Sequence, residues 1–420
     1  MSELFILSVA VFGYATVSER LAMSPISAPI VFTTVGLVMG TGGLAWFDVE
    51  GDGEAVAILV EATLVLVLFT DAIRIDLQVL RREAALPVRL LGIGMPLTIV
   101  LGALTAALVI PGISTVEAVL LAAVLAPTDA ALGQAVVSDQ RLPVRLRQSL
   151  NVESGLNDGI AVPLVTVVLA IAVADEAGSS ADWVALAAKQ VGFGVLAGVA
   201  VGTIGGRLLD TRVIAGAVEG IYRQLATISI AAAAFALAGL VDGNGFIAAF
   251  TAGLAFGHIA RGQRAGVQDF TEDEGELLSA ITFVIFGAVL VGPLLDNLTW
   301  QIAVYALASL TVVRMVPVLI SMIGSGTFFE TRLFLGWFGP RGLASILFAL
   351  VVVEELHTPA GETIFAIAAW TVLASVFAHG ITAKAWAGRL ATRLAAETDP
   401  MPEMEPATEM PTRRRFGFQR

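Results

Sequence analysis

Apolar residues occur in long runs that short polar segments interrupt, and this pattern continues from Leu4 to about Ala387. Most runs contain about 20 residues, which as a helix are long enough to cross the hydrocarbon core of a bilayer. The pattern therefore predicts an all-α polytopic membrane protein with thirteen transmembrane helices. The predicted spans are 4–18, 26–45, 55–73, 88–109, 114–137, 146–174, 182–206, 224–241, 245–257, 277–295, 298–322, 333–353 and 362–387.

The composition agrees with a membrane protein and removes several kinds of site. Of the 420 residues, 57% are hydrophobic and 14% are charged, whereas a soluble domain carries about 25% charged residues. The chain has no cysteine, so it has no disulfide and no thiolate site. Its three histidines lie far apart in sequence, which argues against a histidine metal centre or a serine–histidine triad.

The lysines and arginines predict the topology. Nearly all of them lie in alternate loops, while the intervening loops are acidic. Because cytoplasmic loops carry the positive excess, we predict an outward N-terminus and a cytoplasmic C-terminus in the plasma (inner) membrane of a bacterium. The first apolar run has no basic segment before it, so we expect a retained helix rather than a cleaved signal peptide.

Charges inside the apolar runs are informative, because a charge at the bilayer centre costs about 2.5–3.5 kcal/mol on insertion scales. In the fifth span, Pro127 interrupts the helix and is followed by Thr128 and Asp129. An interrupted helix at this depth frees carbonyl groups that must be buried in protein or face water. Such oxygens beside a carboxylate suit a small dehydrated cation. The alternative is a proline kink in which Asp129 caps the next half-helix.

The sixth span presents polar side chains on two neighbouring faces. Ser154 and Asp158 are four residues apart and share one face, and Glu153 and Asn157 share the other. The first face can bind an ion together with the aspartate of the fifth span. The second face can hold a structural ion pair.

Arginines supply the candidate partners of these carboxylates. Arg314 lies inside the eleventh span with apolar residues on both sides, so it needs a carboxylate, and we predict Glu153. The alternative is that Arg145 or Arg147, at the cytoplasmic entrance, satisfies the sixth-span carboxylates.

The twelfth span contains a second interruption, at Gly339–Gly342. Paired interrupted segments in two halves of a chain indicate a transporter binding site. Within this run Arg341 has two interpretations, a gating residue or a cytoplasmic anchor whose head reaches the membrane surface. In the third span, Asp71 either reaches the site or pairs with Arg74.

Together these motifs resemble the monovalent cation:proton antiporter-1 family, the group of NhaP-type and mammalian sodium/proton exchangers. The matching pieces are the Pro127–Asp129 break, the Glu153–Asp158 motif, Arg314 and the Gly339–Gly342 run. The resemblance implies inverted repeats with two crossing broken helices inside a membrane transporter domain at 1–394. Its implied parts are a core domain at 88–174 and 298–387, a dimerisation domain at 1–87 and 224–295, and a linker helix at 182–206.

The family resemblance also implies roles for individual residues. Glu153 would pair with Arg314, and Asn157 would hold the crossing together. The third-span acid is often glutamate in the family, and the aspartate found here reaches one methylene less. The implied cation- and proton-binding residues are Asp158 and Asp129, which would hold the Na⁺, with Ser154, Thr128 (through its carbonyl) and Asp71.

The expected function is exchange of a monovalent cation, Na⁺ or else Li⁺ or K⁺, for H⁺ by alternating access. A buried carboxylate holds a proton or a cation but not both, so the two would compete for Asp158. Because Asn157 stands where electrogenic relatives have a second aspartate, we expect electroneutral one-for-one exchange. The alternatives are an intramembrane hydrolase using Asp129 and Asp158, a serine hydrolase using Ser154, and a channel.

The expected partners are the transported ions, membrane lipid and a second copy of the chain in a homodimer, with no cofactor and no nucleic acid. After Leu394 the chain is rich in Pro, Glu and Met, so we predict a disordered tail at 395–420. Its Arg413–Arg415 cluster either contacts anionic lipid or is solvated.

Overall fold

The structure is a computed structural model of this chain. It describes residues 2–22, 24, 26–46, 53–75, 85–176, 183–218, 220–260, 264–356, 358–397 and 401–405, and within these ranges all regular structure is helical. The Arg413–Arg415 cluster lies outside the described residues.

Helices occur where the apolar runs predict them, and each predicted span overlaps one helix or one interrupted helix. The first eight are α1 (Ser2–Ala22), α2 (Ala28–Met39), α3 (Gly53–Arg74), α4 (Ala85–Val109), α5 (Thr115–Val124), α6 (Ala130–Val137), α7 (Val144–Glu176) and α8 (Trp183–Ile214). The others are α9 (Ile221–Leu240), α10 (Gly245–Ile259), α11 (Arg264–Ile285), α12 (Trp300–Leu310), α13 (Val312–Ser321), α14 (Phe329–Trp337), α15 (Leu343–Glu355) and α16 (Pro359–Ala395).

Eight helical segments of the described residues are long and apolar enough to cross a membrane. They are Val56–Arg74, Ala85–Val109, Val144–Asp175, Trp183–Ile214, Ile221–Leu240, Gly275–Asn297, Trp300–Ser321 and Pro359–Ala395. Three apolar helices are shorter, namely α2, α5 and α10. The chain is therefore an all-helical polytopic membrane protein, and the count of thirteen crossings remains a prediction.

The eleventh span differs from the single helix that its pattern predicts. It is split at Thr311 into α12 and α13. The Thr311 hydroxyl donates to the carbonyl oxygen of Leu307 at 2.6 Å, and its backbone N–H donates to the same oxygen. A threonine bonded back to the preceding turn competes with the helical hydrogen bonds and bends the helix, a local effect that apolar periodicity does not reveal.

The chain forms two compact units. Unit 1 comprises Met1–Ile58, Ala85–Ser154 and Ser279–Arg420, and unit 2 comprises Leu59–Ala84 and Gly155–Leu278. These units group the chain differently from the core and dimerisation domains that the resemblance implies. Those domains describe which parts move during transport, and they remain a prediction.

Unit 1 contains both interrupted spans and two clusters of buried apolar side chains. One cluster includes Phe32, Phe283 and Phe286, and the other includes Phe334 and Phe338. The second cluster packs α14 against the C-terminal half of α16. Apolar contacts therefore position α14, the half-helix that precedes the second interruption.

Unit 2 is built around a close contact of α8 with α10. A Cβ atom added at Gly198 or Gly202 would collide with the backbone of Ala248 or Ala252. Gly194 is equally restricted, because a Cβ atom there would lie 2.7 Å from the carbonyl oxygen of the residue that caps α10. These three glycines follow one another at four-residue spacing, so they form a small-residue ridge along α8 that serves as a packing surface.

Part of the predicted disordered tail lies within the described residues. Residues 401–405 belong to the segment for which the composition predicts disorder, yet Pro402–Met404 form a 3₁₀ turn. Glu403 within this turn is fully buried. Hydrogen bonds join this turn to Phe328, Thr331 and Arg145, and a compositional pattern does not report such contacts.

Candidate functional site

The first interruption is capped by its own aspartate. α5 ends at Val124, the non-helical segment contains Pro127, and α6 begins directly after Asp129. The Asp129 Oδ1 atom accepts hydrogen bonds from the backbone N–H groups of Ala131 at 2.7 Å and Leu132 at 3.0 Å. Asp129 is therefore the N-cap of α6, which is the arrangement that the alternative interpretation of this residue predicts.

The same carboxylate also caps the second interrupted helix. Asp129 Oδ2 accepts the N–H of Leu343, the first residue of α15, at 2.8 Å. The backbone N–H of Asp129 donates to the carbonyl oxygen of Pro340, also at 2.8 Å. One carboxylate thus accepts hydrogen bonds from three N–H donors at the positive ends of two half-helices.

Arg341 donates hydrogen bonds at the C-terminal ends of the half-helices that precede the same two interruptions. Its Nη1 atom donates to the carbonyl oxygens of Ala126 and Gly339, both at 3.2 Å, which follow the C-terminal ends of α5 and α14. The guanidinium is fully buried, so Arg341 does not reach a membrane surface as a cytoplasmic anchor would. Its charge instead satisfies carbonyl groups that the broken helices release.

The two glycines of the second interruption allow these charges to approach. A Cβ atom at Gly342 would collide with the carboxylate of Asp129. A Cβ atom at Gly339 would collide with the guanidinium of Arg314. Glycine is therefore required at both positions by close contact rather than by backbone conformation.

A buried ion pair lies in the same unit. Arg314 Nη2 donates to Glu153 Oε1 at 2.5 Å, and both side chains are at most 3% exposed. This is the pairing that the sequence predicts for these two residues. Arg145, the alternative partner for the sixth-span carboxylates, pairs instead with Glu405.

The side chains of two predicted site residues also lie together. The Thr128 Oγ1 and Ser154 Oγ atoms are 3.3 Å apart and both residues are buried. The structure thus places the polar residue that precedes Asp129 beside the first polar face of α7. These are neutral oxygens of the type that monovalent cations accept as ligands.

The remaining predicted residues belong to unit 2. Asn157 and Asp158 are buried on α7, with Asp158 one turn after Ser154 in the sequence of that helix. Asp71 forms an ion pair with Arg74 at 3.4 Å, and both side chains are buried near the end of α3. That pair is the alternative that the sequence offered for Asp71.

Sequence reasoning missed Ser375 and His379 on α16. The Ser375 Oγ atom accepts the backbone N–H of Arg341 at 2.7 Å. The Nδ1 atom of His379 lies 3.0 Å from that hydroxyl, and its ring packs against Trp337. These residues pin the second interruption to α16. The only available indication was a serine and a histidine four residues apart in an apolar helix.

The interruptions form an electrostatic crossing, defined by Ala126–Asp129 and Phe338–Leu343. Asp129 neutralises two helix N-termini and Arg341 neutralises two helix C-termini. A buried charge in a membrane protein is costly and usually marks a functional site. The arrangement lets two interrupted helices persist inside an apolar bundle, because protein groups satisfy the backbone groups that the interruptions expose.

Curated relatives cover most of this chain. It is 28% identical over 356 residues to the K⁺/H⁺ antiporter NhaP of Alkalimonas amylolytica, an alignment covering 83% of the chain and 60% of the relative. It is 25% identical over 400 residues to the Na⁺/H⁺ antiporter 2 of Zygosaccharomyces rouxii, covering 84% and 48%. The chain thus spans about half the length of the curated relatives it matches.

Solved structures share the fold. The sodium proton antiporter MjNhaP1 of Methanocaldococcus jannaschii at pH 8 matches 90% of this chain and 97% of its own, with a TM-score of 0.76 and 21% identity. The family model described as "Sodium/hydrogen exchanger, transmembrane" matches residues 6–388. The chain therefore belongs to the sodium/hydrogen exchanger family, a family of transporters rather than enzymes.

Proposed function

We propose that this protein exchanges a monovalent cation for a proton across the membrane, one for one, by alternating access. The observation that carries the proposal is the electrostatic crossing, in which Asp129 and Arg341 hold four half-helix ends. Relatives are named for both K⁺ and Na⁺, so the proposed substrates are Na⁺, K⁺ and Li⁺.

In this proposal Asp129 and Asp158 have different tasks. Asp129 holds two half-helix ends through hydrogen bonds from three backbone N–H groups and contributes its carboxylate to the cation. Asp158 is the group that exchanges a proton for the cation. The Thr128 carbonyl and Ser154 hydroxyl supply neutral oxygens, and Asp71 contributes from α3 despite its pair with Arg74.

The stoichiometry follows from Asn157. This amide does not titrate, so it leaves Asp158 as the exchanging carboxylate of the α7 motif. One cation replaces one proton, and the loaded site carries the same charge in both directions. The buried Glu153–Arg314 pair is structural, because its charges already satisfy each other.

The remaining proposals concern the cellular setting. The core domain at 88–174 and 298–387 would move as a rigid body against a dimerisation domain in a homodimer. The protein would lie in a bacterial inner membrane with its N-terminus outside and its C-terminus in the cytoplasm, as the charge distribution predicts.

The test is proton flux in proteoliposomes that contain a pH dye and receive pulses of Li⁺, Na⁺ or K⁺. We expect flux from the wild type with at least one cation, unchanged when the voltage is clamped, and no flux from Asp158→Asn. The matched control is Asp242→Asn, which makes the same substitution at an exposed aspartate and retains the flux. Substantial exchange by Asp158→Asn, or flux that generates current, contradicts the proposal.

A further inference from the structure

A short C-terminal segment lies against the start of α14. Glu403 is the centre of this contact, and its Oε1 atom accepts the backbone N–H of Phe328 and the hydroxyl of Thr331, both at 2.8 Å. Phe328 is the N-cap position of α14 and supplies no side-chain cap of its own. Glu403 therefore provides from 75 residues away the carboxylate that a helix N-terminus favours.

The same segment also reaches the first turn of α7. Arg145 Nη1 donates to the carbonyl oxygen of Pro402 at 2.8 Å and forms an ion pair with the exposed Glu405. Residues 401–405 thus bridge the start of α7 and the start of α14. We call residues 401–405 the strap.

Burial of the Glu403 carboxyl group opposes the docking. Glu403 is fully buried, yet within the described residues its Oε2 atom has no hydrogen-bond partner. Burying a carboxylate is costly unless its oxygens are satisfied. Desolvation of the carboxylate therefore offsets part of the gain from the two hydrogen bonds, so the docking is reversible.

The two helices that the strap joins both lead to the candidate site. α14 ends at the second interruption, directly before the Gly339–Gly342 run. α7 carries Glu153, Ser154 and Asp158 in the turns that follow Arg145. A tie between the starts of these helices restrains any motion that changes their separation.

We propose that the start of α14, together with Arg145, is a carboxylate-binding site for an acidic peptide segment, that the chain's own strap occupies it, and that docking slows transport. The docking stands on the contacts alone, whereas the effect on transport rests on the proposed antiport function. Release of Glu403 then raises the turnover rate without changing which cation is carried.

The test compares full-length wild type with Glu403→Ala by hydrogen–deuterium exchange in detergent and by antiport in proteoliposomes. Loss of the cap should speed exchange of the amides at 328–331 by about tenfold, and the antiport rate should rise at least about twofold. Thr331→Val removes one donor without altering the strap, so it should change both readouts in the same direction by less. Glu397→Ala, a nearby glutamate outside the strap, should match the wild type.

The two readouts separate the possible failures. Unchanged amide exchange in Glu403→Ala overturns the docking site. Faster amide exchange with an unchanged or lower antiport rate overturns the restraint on transport. If the wild type shows no cation-driven proton flux, the proposed function and the restraint fail together, while the amide exchange still decides whether the strap docks.

Discussion

The electrostatic crossing of unit 1 and the glycine-lined contact of α8 with α10 in unit 2 are two different ways to pack helices in lipid. Lipid tails are as apolar as leucine, so the hydrophobic effect does not drive helices together. In unit 2, Gly198 and Gly202 let the backbones of α8 and α10 approach so closely that a Cβ atom at either glycine would collide with α10. In unit 1, Asp129 and Arg341 hold four helix ends by charge and hydrogen bonds.

The two regions differ in the free-energy cost of burying polar groups. The contact of α8 with α10 joins continuous helices, whose interior backbone groups are already satisfied within each helix. The crossing interrupts two helices and then needs buried charges to satisfy the groups it exposes. Helix packing alone does not require buried charges, so the function is expected at the electrostatic crossing.

The largest expected effect is on the ion pair beside the crossing. Glu153→Ala leaves Arg314 buried without its carboxylate, and loss of one partner of a buried pair costs about 3–5 kcal/mol. We expect a large fall in thermal stability in detergent. The double variant Glu153→Leu/Arg314→Met removes both charges and should recover most of the stability. An unchanged Tm of Glu153→Ala would show that the pair contributes little.

The next effect is on the crossing itself. Arg341→Met leaves the buried carbonyl oxygens of Ala126 and Gly339 without a donor, each at about 1–3 kcal/mol. The cost is reduced because Arg341 Nε and Nη2 have no hydrogen-bond partner within the described residues. We expect about 2–4 kcal/mol of lost stability and loss of antiport. Arg389→Met, at an exposed arginine of α16, is the control, and equal behaviour of the two variants would count against the crossing.

A smaller effect is expected in the glycine-lined contact. Gly202→Ala places a methyl group against the backbone of Ala252, and overpacking of this kind costs about 1–3 kcal/mol. Gly192→Ala is the matched control on the same helix, because nothing lies within 4 Å of its added Cβ atom. The control should be neutral or stabilising. Cation selectivity should stay unchanged in both variants. Altered selectivity in Gly202→Ala would contradict the interpretation of this contact as packing alone.

The smallest effect is expected at a surface ion pair of unit 2. Lys189 Nζ lies 2.8 Å from Asp242 Oδ2, and the two side chains are 45% and 76% exposed. Exposed pairs contribute about 0–1 kcal/mol and are screened by salt. Lys189→Ala should therefore leave Tm within about 2 °C of wild type, and a larger drop would mean that exposed charge also holds this bundle.

Local patterns predicted those parts of the structure that one segment determines by itself. Pro127 and the Gly339–Gly342 run predicted the two interruptions. The predicted partner of Arg314 followed from the cost of a lone buried charge, since few carboxylates lie within apolar spans.

Other features depend on contacts between distant segments. Asp129 caps α15 across 214 residues of chain, and apolar periodicity does not say which half-helix a carboxylate will meet. Arg341 donates to backbone carbonyl groups. Every residue carries such a group, so the sequence does not indicate which ones Arg341 will contact. The docking of Glu403 could not be predicted for the same reason. The segment that contains Glu403 has the composition of a disordered tail.

The central claim is that a proton and a cation compete for the Asp158 carboxylate. Its most direct test is proton release from the detergent-solubilised protein when Na⁺ or K⁺ is added at constant pH in weak buffer. We expect release of one proton for each cation bound by the wild type, and no release from Asp158→Asn. Cation binding without proton release, or equal release from wild type and Asp158→Asn, would contradict it.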